Sequence, residues 1–149
     1  MPHLFREARD LADDVRRVFE ELERQSVSRG VSGECVPAID VLETPDAIEI
    51  VLDLPGVRAD AVRILIKGSV VLIVGEKAPA ACPSRDASFH LVERGFGRFA
   101  RVVRLAGPFD ASRAEAVLRD GELRLVLPRI EDRRGREIPV PIKSLDQVS

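Results

Sequence analysis

Hydrophobic positions change their spacing once along this chain, from the pattern of a helix to the alternation of β-strands. Over residues 4–24 apolar side chains recur three and four positions apart, which predicts an amphipathic helix. The apolar stripe consists of Leu4, Phe5, Leu11, Val15, Val18, Phe19 and Leu22. Because so broad a stripe must be buried, we expect it to self-associate or to capture other apolar surfaces. Packing on its own domain is the alternative, and a mixed acid-and-arginine polar face disfavours membrane binding.

After a serine- and glycine-containing linker at residues 26–33, the apolar period becomes two. Apolar runs predict strands at residues 38–42, 47–54, 62–67, 70–75, 99–105 and 122–127. The run VVLIVG at 70–75 is apolar on both faces, so we expect it inside a stack of two sheets. Asp120 and Gly121 stand between two apolar runs and predict a tight hairpin.

Short strands at regular spacing, without a convincing internal helix, predict an all-β fold: an immunoglobulin-like antiparallel β-sandwich of about 100 residues. We expect three parts. Residues 1–34 form a helical N-terminal arm with its linker, residues 35–130 form the sandwich, and residues 131–149 form an extended C-terminal tail.

A loop with two prolines at residues 77–88 is too long for a tight hairpin and precedes a short predicted strand, HLVER. Such a loop can project from the sandwich and carry the strand outward, where a partner subunit can pair with it. A partner subunit is one way to cover such an edge, and it would place His90, Leu91, Val92, Glu93 and Arg94 in a dimer interface.

Arg101 stands in the middle of a predicted strand among apolar neighbours, where an unpaired charge is costly. We expect a carboxylate from across the dimer interface to pair with it, with Glu93 and Asp86 as candidates. Simple solvent exposure on an edge strand is the alternative.

Composition indicates a soluble globular protein, with 45% apolar and 32% charged residues among 149. The segment RGFGRF at 94–99 begins like an RNA-recognition strand, but Arg98 replaces the aromatic residue that the signature requires. The chain has no tyrosine or tryptophan and a net charge of −2, so we expect no nucleic-acid partner.

Other classes of function find little support in the residues. No apolar run approaches the roughly 20 residues of a membrane span and no signal segment is visible, so we expect a cytoplasmic protein. Cys35 and Cys82 have no metal-ligand spacing, which predicts reduced thiols without a metal site. His3 and His90 have no nucleophile arranged beside them, so we expect neither an enzyme nor a cofactor.

Four stretches, in order, resemble the small heat-shock proteins, the α-crystallin-domain family. DLPGV at 53–57 is similar to the family's Leu-Pro-Gly turn, and residues 89–105 are similar to its swapped strand and the arginine-bearing strand after it. AEAVLRDGELRLVLPR at 114–129 resembles the signature A-x-x-x-x-G-x-L, and IPVPI at 138–142 resembles the I-x-I tail motif.

The resemblance implies an ATP-independent chaperone, a holdase that binds unfolding proteins and prevents their aggregation. It also implies homodimers that exchange a strand, and larger homo-oligomers held together by the tail. A β-sandwich co-chaperone adaptor of the p23 type, which binds one folded partner as a monomer, is the alternative. Such an adaptor would need neither the projecting loop nor IPVPI.

The residues of the tail support such a role independently. Pro139 and Pro141 fix φ and remove backbone donors, so the segment is extended and exposes Ile138, Val140 and Ile142. The predicted receptor is an apolar groove lined by Ile64, Ile66, Ala116 and Leu118. A tail folded onto its own domain is the alternative.

Overall fold

The structure is a computed structural model that describes residues 2–25, 34–130 and 137–145. Within the first range, side chains are described for residues 9–21. Besides two short 3-10 helices, one α-helix and seven strands form within these residues. They are α1 (Pro2–Gln25), β1 (Ile39–Glu43), β2 (Ala47–Asp53), β3 (Val62–Lys67), β4 (Val70–Lys77), β5 (Gly97–Arg104), β6 (Glu115–Arg119) and β7 (Glu122–Pro128).

The strands form two antiparallel sheets, in the orders β1-β2-β7-β6 and β3-β4-β5. The two sheets enclose one core of apolar side chains, as a β-sandwich requires. Its fully or nearly fully buried members include Ile48, Ile50, Leu52, Val71, Ile73, Phe99, Leu123, Leu125 and Leu127. The predicted all-β sandwich with an N-terminal helix is therefore confirmed.

Alternation along β2 and β7 explains how these strands find their register. Every second residue of β2 points into the core, and Ile50 lies opposite Leu125 while Leu52 lies opposite Leu123. A shift by one residue would move all of these side chains to the solvent face, so the apolar pattern fixes the pairing.

The predicted tight hairpin joins β6 to β7. Asp120 has φ 53° and Gly121 has φ 75°, and positive φ at both central residues is the requirement of a type I′ turn. The turn is fixed to the rest of the sandwich because the Leu54 amide donates a hydrogen bond of 2.7 Å to the Gly121 carbonyl.

Strand β4 departs from its prediction on one face. Val71 and Ile73 point into the core between the sheets, but Leu72 and Val74 point away from it and are covered by α1. The expectation that residues 70–75 lie inside a stack of two sheets is therefore right for one face only. The helix takes the place of a second sheet on the other face.

No helix within the described residues has the length and apolar character needed to cross a membrane.

Candidate functional site

The segment between β4 and β5 exposes apolar side chains at its end. Phe89, Leu91 and Val92 are all more than half exposed, and His90, Glu93 and Arg94 are exposed beside them. The predicted short strand HLVER is wrong for the single chain, in which residues 90–94 pair with no described strand. A strand needs a neighbouring backbone to satisfy its hydrogen bonds, and here the chain itself provides none.

Strand β1 offers an edge for pairing. It has β2 on one side and, among the described strands, no neighbour on the other. Val41 and Leu42 lie along this edge and are about half exposed. Unpaired backbone groups beside exposed apolar side chains make an acceptor for an added strand.

Arg101 lies opposite Ile73 in the register of β5 and β4, which places it on the core-facing side of an edge strand. It is half-buried beside Phe99 and Val103, and no ion pair within the described residues includes it. A half-buried guanidinium without a nearby carboxylate is costly.

The four residues predicted to line the tail-binding groove lie on the edge strands of the two different sheets. Ile64 and Ile66 are on β3, while Ala116 and Leu118 are on β6. Ile64, Ile66 and Leu118 are half-buried and pack against the core, whereas Ala116 is exposed. Their partly accessible side chains offer apolar surface to an incoming segment.

The tail does not bury its apolar residues in the single chain. Ile138 is 57% exposed, Val140 80% and Ile142 97%. The alternative of a tail folded onto its own domain is therefore not what the structure shows.

The N-terminal helix is docked on its own domain, which is the alternative that the sequence favoured less. Val18 is 2% exposed and contacts the cluster of Leu72 and Val74, with Val15 and Phe19 half-buried against the same cluster. Leu11 is half-buried as well. The side chains of Leu4, Phe5 and Leu22 lie outside the described residues.

Charged residues frame this helix contact, and the sequence reasoning missed them. The Lys67 ammonium lies 3.8 Å from the Asp14 carboxylate, and the Arg98 guanidinium lies 5.0 Å from the centre of the Phe19 ring. Arg98 also contacts the Glu76 carboxylate at 3.3 Å. Burial raises the pKa of the Glu76 carboxyl above its usual value. The signal that could have found the contact is the second apolar face of β4.

Neither thiol chemistry nor a metal site is indicated by the described side chains. Cys35 is half-buried, its Sγ donates a hydrogen bond of 3.5 Å to the Gly97 carbonyl, and burial raises the pKa of the thiol above its usual value. Within the described part of the chain, no three or more metal-binding side chains converge.

The two sheets and the apolar segments left exposed at the edges and tail define a β-sandwich domain with uncovered apolar surface. The sequence matches the Hsp20/alpha crystallin family over residues 40–143, and the chain belongs to this family. Its members are small heat-shock chaperones.

Individual relatives agree with the family assignment. Heat shock protein 16 of Schizosaccharomyces pombe is 32% identical over 102 residues, which cover 68% of this chain and 71% of that protein. Among solved structures, heat shock protein 16.0 from the same organism superposes with a TM-score of 0.62 at 30% identity, covering 73% of this chain and 99% of that one. A small heat-shock protein from Xylella fastidiosa has a TM-score of 0.61 at 27% identity, with 72% and 98% covered.

Proposed function

We propose that this chain is an ATP-independent holdase, which binds unfolding proteins through apolar surfaces and prevents their aggregation. The observation that carries the proposal is the exposure of apolar side chains in the tail and in residues 89–92 of a sandwich of this family. Exposed apolar patches of this kind mark sites of protein interaction.

Three parts of the chain have different roles in this function. Residues 1–34 supply the amphipathic arm, residues 35–130 the sandwich, and residues 131–149 the tail with its IPVPI motif. The family match over residues 40–143 supports the position of the sandwich and reaches into the tail.

The homodimer forms by exchange of a strand. Residues 90–94 of one copy pair with the free edge of β1 in the other, so that Leu91 and Val92 are covered together with Val41 and Leu42. The support is that both the segment and the edge lack a partner among the described residues and both expose apolar side chains. Backbone hydrogen bonds then supply affinity, and alternate side chains supply specificity.

Arg101 pairs across this interface with Glu93 or Asp86 of the second copy. Charge reversal by Arg101→Glu should lower the dimer's thermal stability and shift the population towards monomers, because two like charges would then meet at a partly desolvated site. Arg113→Glu, at an exposed position outside the strands, is the matched control. Dimer mass and melting temperature that are unchanged in Arg101→Glu would contradict the pairing.

Larger homo-oligomers form when Ile138, Val140 and Ile142 bind the groove between β3 and β6 of another subunit. Burying one isoleucine contributes about 1.5 to 3 kcal/mol, and the two prolines reduce the cost of ordering the tail. One tail therefore binds reversibly, while many tails in one assembly act together. The Xylella fastidiosa relative is described as having a distinct high order structure, which supports assembly in this family.

Light scattering of a heat-labile client such as citrate synthase, heated with and without the full chain and without ATP, tests the proposal. We expect scattering to fall as the ratio of chain to client rises, and added ATP to leave the curve unchanged. A chain that stays monomeric and leaves the client to precipitate would instead favour the p23-type adaptor.

A further inference from the structure

The outer face of the β3-β4-β5 sheet is an apolar surface of its own. Leu65 on β3 and Leu72 and Val74 on β4 form it, with Val102 beside Leu72 on the neighbouring strand β5. Val102 remains 45% exposed, so α1 covers only part of this face. The surface is distinct from the core between the sheets and from the groove at the sheet edges.

Docking of α1 shows which kind of segment fits this face. Three apolar residues spaced as Val15, Val18 and Phe19 contact the cluster, and an acidic residue, Asp14, precedes them. Lys67 lies at one border of the face near Asp14, and Arg98 lies at another, over the ring of Phe19. The face therefore fits an amphipathic helical segment that carries an acidic residue next to its apolar stripe.

Within residues 9–21 of α1, the contact with the sheet is limited in extent. Among residues 9–21 of α1, Val18 is the one residue that is fully buried, and the Lys67 and Asp14 pair is partly exposed to solvent. A helix gains most of its stability from the apolar face that it packs, so a small contact leaves docked and undocked states close in free energy.

We propose that the outer face of the β3-β4-β5 sheet binds amphipathic segments of unfolding proteins, and that α1 is its intramolecular competitor. The inference rests on the proposed holdase function and adds where clients bind and what controls access. Undocking of α1 exposes Leu72 and Val74 together with Val15, Val18 and Phe19. The docked state is thus autoinhibited, and clients bind in proportion to the undocked fraction.

A substitution that undocks α1 without making it more apolar tests this inference in the full chain. Val18→Asp places a charge at the buried centre of the contact, and Ala12→Asp adds the same charge at an exposed position of the same helix. Because the chain has no tryptophan, Phe19→Trp in each background supplies a single fluorophore that reports docking. We expect red-shifted emission from Trp in the Val18→Asp chain only.

Client protection is then measured by light scattering of heated citrate synthase without ATP. We expect Val18→Asp to protect at a several-fold lower ratio of chain to client than the wild type, and Ala12→Asp to match the wild type. Adding Leu72→Lys to Val18→Asp should abolish the gain. Val102→Lys, at an exposed position on the same face, should reduce the gain and keeps the test decisive if Leu72→Lys fails to fold.

The outcomes separate this inference from the proposed function. If Val18→Asp releases the helix but protects no better, or if Leu72→Lys and Val102→Lys leave the gain intact, the face is not a client site and the holdase remains. If the Trp emission does not shift, α1 is a permanent part of the domain and the inference fails. If no chain, wild type included, protects the client, the holdase itself is wrong.

Discussion

Gly75 is the residue at which β4 leaves no room for a side chain. The ring of Phe99 lies against it on the neighbouring strand, and Phe99 is 2% exposed. A Cβ atom at position 75 would lie 2.5 Å from Phe99 Cζ and 2.7 Å from the Ala61 carbonyl oxygen. The second contact is with backbone, so a change of rotamer at Phe99 would not relieve it.

Gly75→Ala should lower the free energy of unfolding by about 1 to 3 kcal/mol, the usual cost of overpacking a filled core. Urea unfolding of the two chains measures the difference. Gly95→Ala is the control, because a Cβ there meets its nearest neighbour, Cys35 Cβ, at an ordinary 3.6 Å. Equal unfolding midpoints for Gly75→Ala and the wild type would show that the strands can separate at this point.

Glu76 gives the domain a pH dependence with a definite sign. Burial raises the pKa of its carboxyl above the usual value of 4.5, so the folded chain binds this proton at a higher pH than the unfolded chain. Protonation of Glu76 therefore adds stability as the pH falls through the raised pKa towards 4.5, and none of this gain is present at neutral pH. Arg98 attracts the ionised form at 3.3 Å, but the upward shift shows that burial outweighs this attraction.

Glu76→Gln removes the buried charge and should stabilise the chain most at neutral pH. The difference in melting temperature between Glu76→Gln and the wild type should shrink as the pH falls from neutral towards 4.5, because the wild-type carboxyl is then neutralised. Glu115→Gln, at an exposed position on β6, is the control and should show no such trend. A difference that widens on acidification would mean that the ion pair with Arg98 dominates.

At the scale of elements, the hairpin between β6 and β7 sets the register of the edge strand β6 against its neighbour β7. Gly121→Ala should cost about 1 to 2 kcal/mol, because φ is 75° and left-handed backbone is strained for residues with a Cβ. The added atom would also lie 3.1 Å from Pro55 Cα. Asp120→Asn, which suits the same turn, should leave the thermal unfolding midpoint nearly unchanged. A Gly121→Ala chain as stable as Asp120→Asn would contradict the role of this turn.

The elements differ in how far the sequence determines them. Strand β2 and the turn at Asp120 and Gly121 were predictable, because alternation and turn chemistry are local properties. The state of residues 90–94 was not, because an edge segment becomes a strand only with a partner that the pattern does not contain. The docking of α1 was not predictable either, since it depends on which long-range apolar face, here Leu72 and Val74, is left over once the sandwich has formed.

At the scale of the whole molecule, the tail that we propose to link subunits is exposed in the single chain. Replacing Ile138 and Ile142 with serine should shift native mass spectra towards dimers, because two buried side chains per contact are lost. The melting temperature of the dimer should not change, since both residues are exposed in the single chain. Leu145→Ser, at an exposed position beyond the motif, is the control. An unchanged assembly mass for the double isoleucine variant would contradict the role proposed for the tail.

Strand β4 is covered on both faces, by the core between the sheets on one side and by α1 on the other. VVLIVG has no proline and no charge and is rich in β-branched residues, which is the composition of segments that form amyloid. Steric zippers need free backbone donors and acceptors as well as apolar side chains that pack together. The backbone groups of β4 are already hydrogen-bonded to β3 on one edge and to β5 on the other. Undocking of α1 would therefore expose the side chains of Leu72 and Val74 but no unpaired backbone edge. The folded sandwich thus prevents VVLIVG from acting as a template for fibrils.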